Sequence, residues 1–130
     1  MKVLFVCTGN TCRSALAQHL ATGVEARSAG LAAYPGQPMT PGAVRALGRD
    51  PGHRSQRVTE ELVDWADVVV CMTRAHLDSL TALYPQYRAK YRTLKDTDVA
   101  DPIGESDDVY AATAAEIKEA LDELLKDARR

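Results

Sequence analysis

Apolar residues in this chain fall into two patterns: short unbroken runs, and longer stretches stepped by three and four. Lys2 to Val6 is a short run rich in β-branched and aromatic residues, closed by a glycine turn, and it predicts a buried strand. Ser14 to Leu20 predicts a helix, with Ala15, Leu16, Ala17 and Leu20 as its apolar and helix-forming positions. Val24 to Ser28 predicts a second strand that closes on Ala29-Gly30, and Pro35, Gly36 and Pro38 mark a loop. Thr40 followed by Pro41 predicts a helix start, with a side-chain cap and then a proline whose missing N–H costs nothing in a first turn. That helix is expected to fade at Gly48.

Thr59 predicts the cap of another helix, with Val58 and Val63 placed to form a hydrophobic staple. Asp67 to Met72 is the clearest buried strand, and Thr73 opens the next helix, with Met72 and Leu77 as a second expected staple. Tyr91 to Leu94 reads as a short last strand. From Asp107 a long amphipathic helix is predicted, its stripe formed by Tyr110, Ala114, Ile117, Leu121, Leu124 and Ala128. Strands alternating with helices in this way predict an α/β fold, an open parallel sheet with helices on both faces. No internal repeat, linker or low-complexity segment interrupts it.

Length and charge narrow the picture. The 130 residues are expected to form one domain, residues 1–130, with one real hydrophobic core. A formal net charge of -2 argues against nucleic acid held by a bulk positive field. No stretch approaches the roughly 20 apolar residues of a membrane span. The short apolar run at Met1–Cys7 lacks a longer hydrophobic region and a cleavage site, and it leads straight into a motif, so it does not read as a signal peptide. A cytoplasmic protein, with neither nucleic acid nor membrane as partner, is the expectation. Cys7, Cys12 and Cys71 are odd in number and fit neither a disulfide framework nor a zinc template. His19, His53 and His76 are scattered and read as structural or surface residues, so no metal or cofactor is expected. Cys71, inside an apolar strand, reads as inert core.

The chemistry gathers at Cys7-Thr8-Gly9-Asn10-Thr11-Cys12-Arg13-Ser14, between the first strand and the first helix. Ligands of open parallel sheets collect outside the carboxyl ends of the strands. Gly9 and Asn10 are residue types that accept unusual backbone angles. A loop of this kind turns its N–H groups inward into an anion-binding nest at a helix N-terminus. Arg13 adds a charged fork suited to two phosphate oxygens. The same surroundings favour a thiolate at Cys7, and Ser14 is placed to hydrogen-bond the sulfur. Thr8, Gly9, Asn10, Thr11, Cys12, Arg13 and Ser14 are therefore the expected phosphate-binding residues, with Cys7 as nucleophile. Asp101-Pro102 lies in a polar loop after the last strand, and the proline restricts the backbone that carries the carboxyl. Asp101 is the expected general acid, then the general base that activates water. Two readings stand for Cys12: small loop packing, or a reversible disulfide with Cys7 that protects the nucleophile.

With these residues in view, Cys7-x-x-x-x-x-Arg13-Ser14 and the late Asp101-Pro102 resemble the low-molecular-weight protein tyrosine phosphatases. The resemblance extends to Ser28-Ala29-Gly30, to His53–Leu62 and to Asp67–His76, and so covers nearly the whole chain. It implies a four-stranded parallel sheet of flavodoxin-like architecture, no cofactor, and phosphorylated protein substrates. It maps nucleophile, phosphate-binding arginine and general acid onto Cys7, Arg13 and Asp101, and a loop-shaping asparagine onto Asn10. Thr11, where many tyrosine-specific members carry a bulky aliphatic residue, is similar to the bacterial protein-arginine phosphatase branch, as is the stretch from Tyr87 to Lys95. The neighbours of Asp101 are Ile103-Gly104-Glu105 rather than aromatics, the nearest tyrosine in sequence being Tyr110. The implied activity is hydrolysis of phosphoarginine on proteins through a phosphocysteine, with Thr11 setting specificity; a monomer is expected.

Other functions fit parts of the pattern. Phosphotyrosine hydrolysis uses the same machinery. Arsenate reduction shares the anion loop but needs a relay of further cysteines, and Cys71 sits in a predicted strand. A non-catalytic phospho-residue binding module would not need an intact nucleophile, arginine and acid.

Overall fold

The computed structural model describes residues 1–126. Strands β1 (Lys2–Cys7), β2 (Glu25–Gly30), β3 (Val68–Cys71) and β4 (Tyr91–Thr93) form one parallel sheet in the order β2-β1-β3-β4. Helices α1 (Arg13–Leu20), α2 (Pro41–Leu47), α3 (Glu60–Trp65), α4 (Arg74–Leu83) and α5 (Asp107–Leu125) connect and cover them. This is the predicted order of elements. A 3-10 helix at Pro85–Lys90 has no counterpart in the hydrophobic pattern. None of the described helices is long and apolar enough to cross a membrane.

The unbroken apolar run of β1 follows from burial on both faces. Val3, Phe5 and Cys7 enter one core with residues of α1, α2 and α5, while Leu4 and Val6 enter the other, against α3 and α4. Strand β3 and the residue after it divide likewise, Val70 and Met72 to the first core, Val69 and Cys71 to the second. That division removes the second predicted staple: Met72 and Leu77 lie in different cores. The first staple forms, with Val58 and Val63 in one core and the Thr59 hydroxyl accepting from the Leu62 N–H at 3.2 Å.

Other helix signals carry over with two changes. Helix α2 begins at Pro41 and ends on Gly48 in the left-handed conformation, φ 84°. The Thr40 hydroxyl, however, does not cap α2; it turns to Cys12 and Tyr110 instead. Helix α5 is capped by Ser106, whose hydroxyl accepts from the Val109 N–H, with Asp107 and Asp108 favourably placed in its first turn. Its buried stripe contains Tyr110, Ala114, Ile117 and Leu121, joined by Thr113 and Leu125, with Leu124 partly buried. Ala128 lies outside the described residues. Gly42 allows α2 and α5 to close together, since a Cβ there would come within 2.5 Å of the Tyr110 ring.

Strand β2 runs two residues past its predicted end because Ala29 and Gly30 pair with Val6 and Cys7 beneath the loop. A Cβ on Gly30 would lie 2.4 Å from the Thr8 carbonyl oxygen, so the loop rests directly on bare backbone.

Candidate active site

The loop that leaves β1 at Cys7 is held from outside by its carbonyls. The Cys7 carbonyl accepts from the Leu31 N–H, Thr8 from Ala32, Thr11 from Thr40 and Cys12 from Leu16, all at 2.8–3.1 Å. The Asn10 carbonyl lies 2.8 Å from His53 Nε2. Five of the loop's carbonyls are thus engaged, that of Cys12 by the first turn of α1, and a loop whose carbonyls are held outward is of the kind that turns N–H groups inward.

Asn10 makes the turn. It is fully buried and has φ 59°, whereas Gly9, expected to share that role, is not in the left-handed region. Its Nδ2 donates to Ser14 Oγ and Ser28 Oγ, each at 2.9 Å, and its Oδ1 accepts from the Gln56 N–H at 3.0 Å. Because Ser14 Oγ accepts from Asn10, its own proton is free to point at Cys7 Sγ, 2.8 Å away. The Asn10 N–H also reaches the sulfur, at 3.3 Å. Two groups able to donate thus converge on Cys7 Sγ, the Ser14 hydroxyl and the Asn10 N–H.

Arg13 is buried at the start of α1. Its Nη1 donates to the Val99 carbonyl at 2.9 Å, and Nη2 lies 3.6 Å from Asp101 Oδ2. Asp101 accepts from the Ile103 N–H at 3.1 Å through Oδ1, an Asx turn that fixes the carboxyl while leaving its side chain 44% exposed. The cleft between the two loops, about 140 Å3, is lined by residues 7–13, Asp101 and Ile103. The structure therefore brings together Cys7, Thr8, Gly9, Asn10, Thr11, Cys12, Arg13 and Asp101. Ser14, expected among the phosphate-binding residues, is not in the lining; it stands behind Cys7.

A second hollow of about 470 Å3 adjoins this cleft and shares Gly9, Thr11 and Ile103 with it. Tyr34, 78% exposed, forms part of its wall. Tyr34 is the aromatic that the sequence reading missed, since nothing in its proline- and glycine-rich surroundings sets it apart. Tyr110, the nearest tyrosine to Asp101 in sequence, is instead buried behind the loop. Its hydroxyl lies 3.7 Å from Cys12 Sγ and 3.2 Å from Thr40 Oγ1. Cys12 is a free, buried thiol that also contacts Thr40 Oγ1 at 3.2 Å. Burial pushes the Cys71 thiol up to about 12, in keeping with a core residue.

The three histidines lie behind or beside the loop. His19 Nε2 is 3.1 Å from His53 Nδ1, and burial, with the charges of His53 and Arg49, lowers His19 to about 4. Burial also lowers His53, against the Asn10 carbonyl contact, which raises it. His76 is lowered to about 4 by burial and then by Arg13, with Asp98 and Asp101 opposing, and its Nε2 lies 2.9 Å from Thr8 Oγ1.

A parallel sheet with a cysteine-to-arginine anion loop at the end of an inner strand, faced by a carboxylate, defines a class of phosphate-handling hydrolases. Residues 2–130 match the family described as low molecular weight phosphotyrosine protein phosphatase, and the chain belongs to it. It is 40% identical to the protein-arginine-phosphatase of Bacillus subtilis (strain 168), over 100% of this chain and 98% of that one. It is 39% identical to the protein-arginine-phosphatase of Geobacillus stearothermophilus, over 95% and 93%. A Cys-to-Ser mutant of the YwlE arginine phosphatase with a phosphorylated active-site serine superposes with a TM-score of 0.95 at 38% identity, covering 100% of this chain and 97% of that one.

Proposed function

We propose that this chain hydrolyses phosphoarginine on proteins through a phosphocysteine at Cys7. The observation that carries the mechanism is the sulfur's setting: two donors on Cys7 Sγ, inside a loop with outward carbonyls, facing Arg13 and Asp101. The phosphoryl group seats on the loop's N–H groups and on the Arg13 guanidinium. Cys7 sulfur attacks phosphorus as the bond to the guanidine nitrogen breaks, and Asp101 protonates that nitrogen. Asp101, now carboxylate, takes a proton from water. The water oxygen attacks phosphorus, and the thiolate leaves onto the Ser14 O–H and the Asn10 N–H. The phosphorylated serine of the superposed YwlE mutant supports a covalent intermediate at this position.

Thr11 and the similarity to two protein-arginine-phosphatases support the arginine substrate. Phosphotyrosine is the second reading, favoured by the exposed Tyr34 ring across the adjoining hollow, where a flat ring can stack. A cytoplasmic monomer acting on phosphorylated proteins completes the proposal. Turnover of phosphoarginine and phosphotyrosine peptides, measured side by side, separates the two substrates. Asp101→Asn tests the mechanism: it should slow substrates with poor leaving groups far more than an activated aryl phosphate. An equal loss across a leaving-group series excludes the acid role.

A further inference from the structure

We propose that His76 is a positioning residue that, acting through Thr8, holds the nucleophile loop in register with the loop that carries Asp101. This rests on the mechanism above, which needs Cys7 and Asp101 on either side of one phosphorus atom.

The sheet order sets the problem. Cys7 ends β1, the Asp101 loop follows β4, and β3 lies between these two strands. Arg13 joins the two loops directly through the Val99 carbonyl and Asp101, and the turn from β3 into α4, lying between the strands, is a second connection on the other side of the cleft loop. On the acid side it is fixed by the Val99 N–H donating to the Met72 carbonyl at 3.0 Å and by Asp98 Oδ1 accepting from the Arg74 N–H at 2.9 Å. On the nucleophile side, the side-chain link among the described residues is His76 Nε2 to Thr8 Oγ1, 2.9 Å, at the residue next to Cys7.

The chemistry of His76 is otherwise costly for its place. The residue is buried, its backbone N–H bonded to Thr73 Oγ1 at 3.1 Å, and its Nδ1 has no hydrogen-bond partner among the described residues. An unpaired buried ring nitrogen lowers stability, so packing alone favours an aliphatic residue there. The Thr8 bond is what an aliphatic side chain would lose. The charged groups facing the ring are Arg13 from α1, and Asp98 and Asp101 from the loop after β4. Kept neutral at physiological pH, the imidazole orients Thr8 without competing with Arg13 for the Asp101 carboxylate.

Removing this bracket should leave the cradle intact and loosen only the register between loops. The test measures kcat and KM on a phosphoarginine peptide, and the inhibition constant of inorganic phosphate. The proteins are wild type, His76→Leu, His76→Gln, Thr8→Val and the His76→Leu/Thr8→Val double variant. The expected result is a fall in kcat of about tenfold for His76→Leu and for Thr8→Val, with the phosphate constant within about twofold. The double variant should be no worse than either single one, and His76→Gln, which can still bond Thr8, should recover most of the rate. Losses that add in the double variant, an inert Thr8→Val, or a phosphate constant that rises in step overturn the proposal. Thr8 is exposed, so Thr8→Val carries the test if His76→Leu does not fold. Wild-type turnover in the same series tests the underlying mechanism separately: a wild type without activity refutes that, whereas an active wild type with insensitive variants refutes the bracket.

Discussion

Cys7 Sγ and Ser14 Oγ lie 2.8 Å apart although they stand at opposite ends of the anion loop. The Asn10 side chain donates to that same serine oxygen and so directs the serine proton onto the sulfur. The pair matters most when the thiolate is a leaving group. Ser14→Ala should therefore slow phosphocysteine breakdown more than its formation, lowering kcat by roughly 10-fold or more and exposing a pre-steady-state burst. Cys7→Ser should abolish turnover with the fold unchanged, and appreciable activity in that variant rules out the covalent route. Arg13→Lys should be severely impaired, because a point charge does not replace a planar fork.

Cys12 is held in the reduced protein by Thr40 and Tyr110, on the helix side of the loop. Mild peroxide should convert Cys7 to a sulfenic acid, which the Cys12 thiol then attacks to form a disulfide and water. A thiol reductant should restore activity in the native protein and much less in Cys12→Ser. Equal recovery in both assigns Cys12 to packing alone.

Thr11 stands where the cleft meets the adjoining hollow. In the proposed phosphoarginine complex its hydroxyl accepts from the guanidinium, whereas isoleucine would set hydrocarbon against those N–H groups, a penalty of about 1–3 kcal/mol. An aliphatic wall would in turn bury part of a phenyl ring. Thr11→Ile should lower kcat/KM for phosphoarginine peptides and raise it for phosphotyrosine peptides, by a combined factor of roughly 10. A ratio that stays put, or a native preference for phosphotyrosine, gives the assignment to the second reading.

Acid should destabilise the fold through the histidines. His19 and His76 are held at about 4 and His53 is also lowered, chiefly by burial, against an ordinary value of 6.5. As pH falls below about 6.5 the unfolded chain takes up protons that the folded chain refuses until near pH 4, so stability declines across that window. Melting temperature should drop between pH 7 and pH 4.5, and the drop should be shallower in His76→Leu. A pH-independent melting temperature over that range contradicts neutral, buried rings.

Much of the site was readable because it is local. A strand, a turn and a helix start in succession place Cys7, Asn10, Arg13 and Ser14, and Pro102 marks the second loop. What stayed hidden depends on chain crossovers. Gln56 and His53 grip Asn10 from more than forty residues away. Tyr34 reaches the rim only because β2 runs alongside β1. Two local rules failed for the same reason: Thr40 looked like a cap but met Cys12 and Tyr110, and Met72 and Leu77 had staple spacing but opposite faces of the sheet.

Strand β1 has a hydrogen-bonded neighbour on each side, six residues in register with β2 and four with β3. Its amides point alternately to one neighbour and the other, so freeing the whole strand requires both pairings to be lost, which amounts to unfolding the sheet. In native-state hydrogen exchange, residues 3–6 should thus belong to the slowest class, exchanging at the global free energy. The nucleophile is anchored to the last part of the chain to melt. Fraying at the edge strand β4 would leave the nucleophile in place but release the loop that carries Asp101, so activity should be lost at or below the temperature at which the β1 amides open.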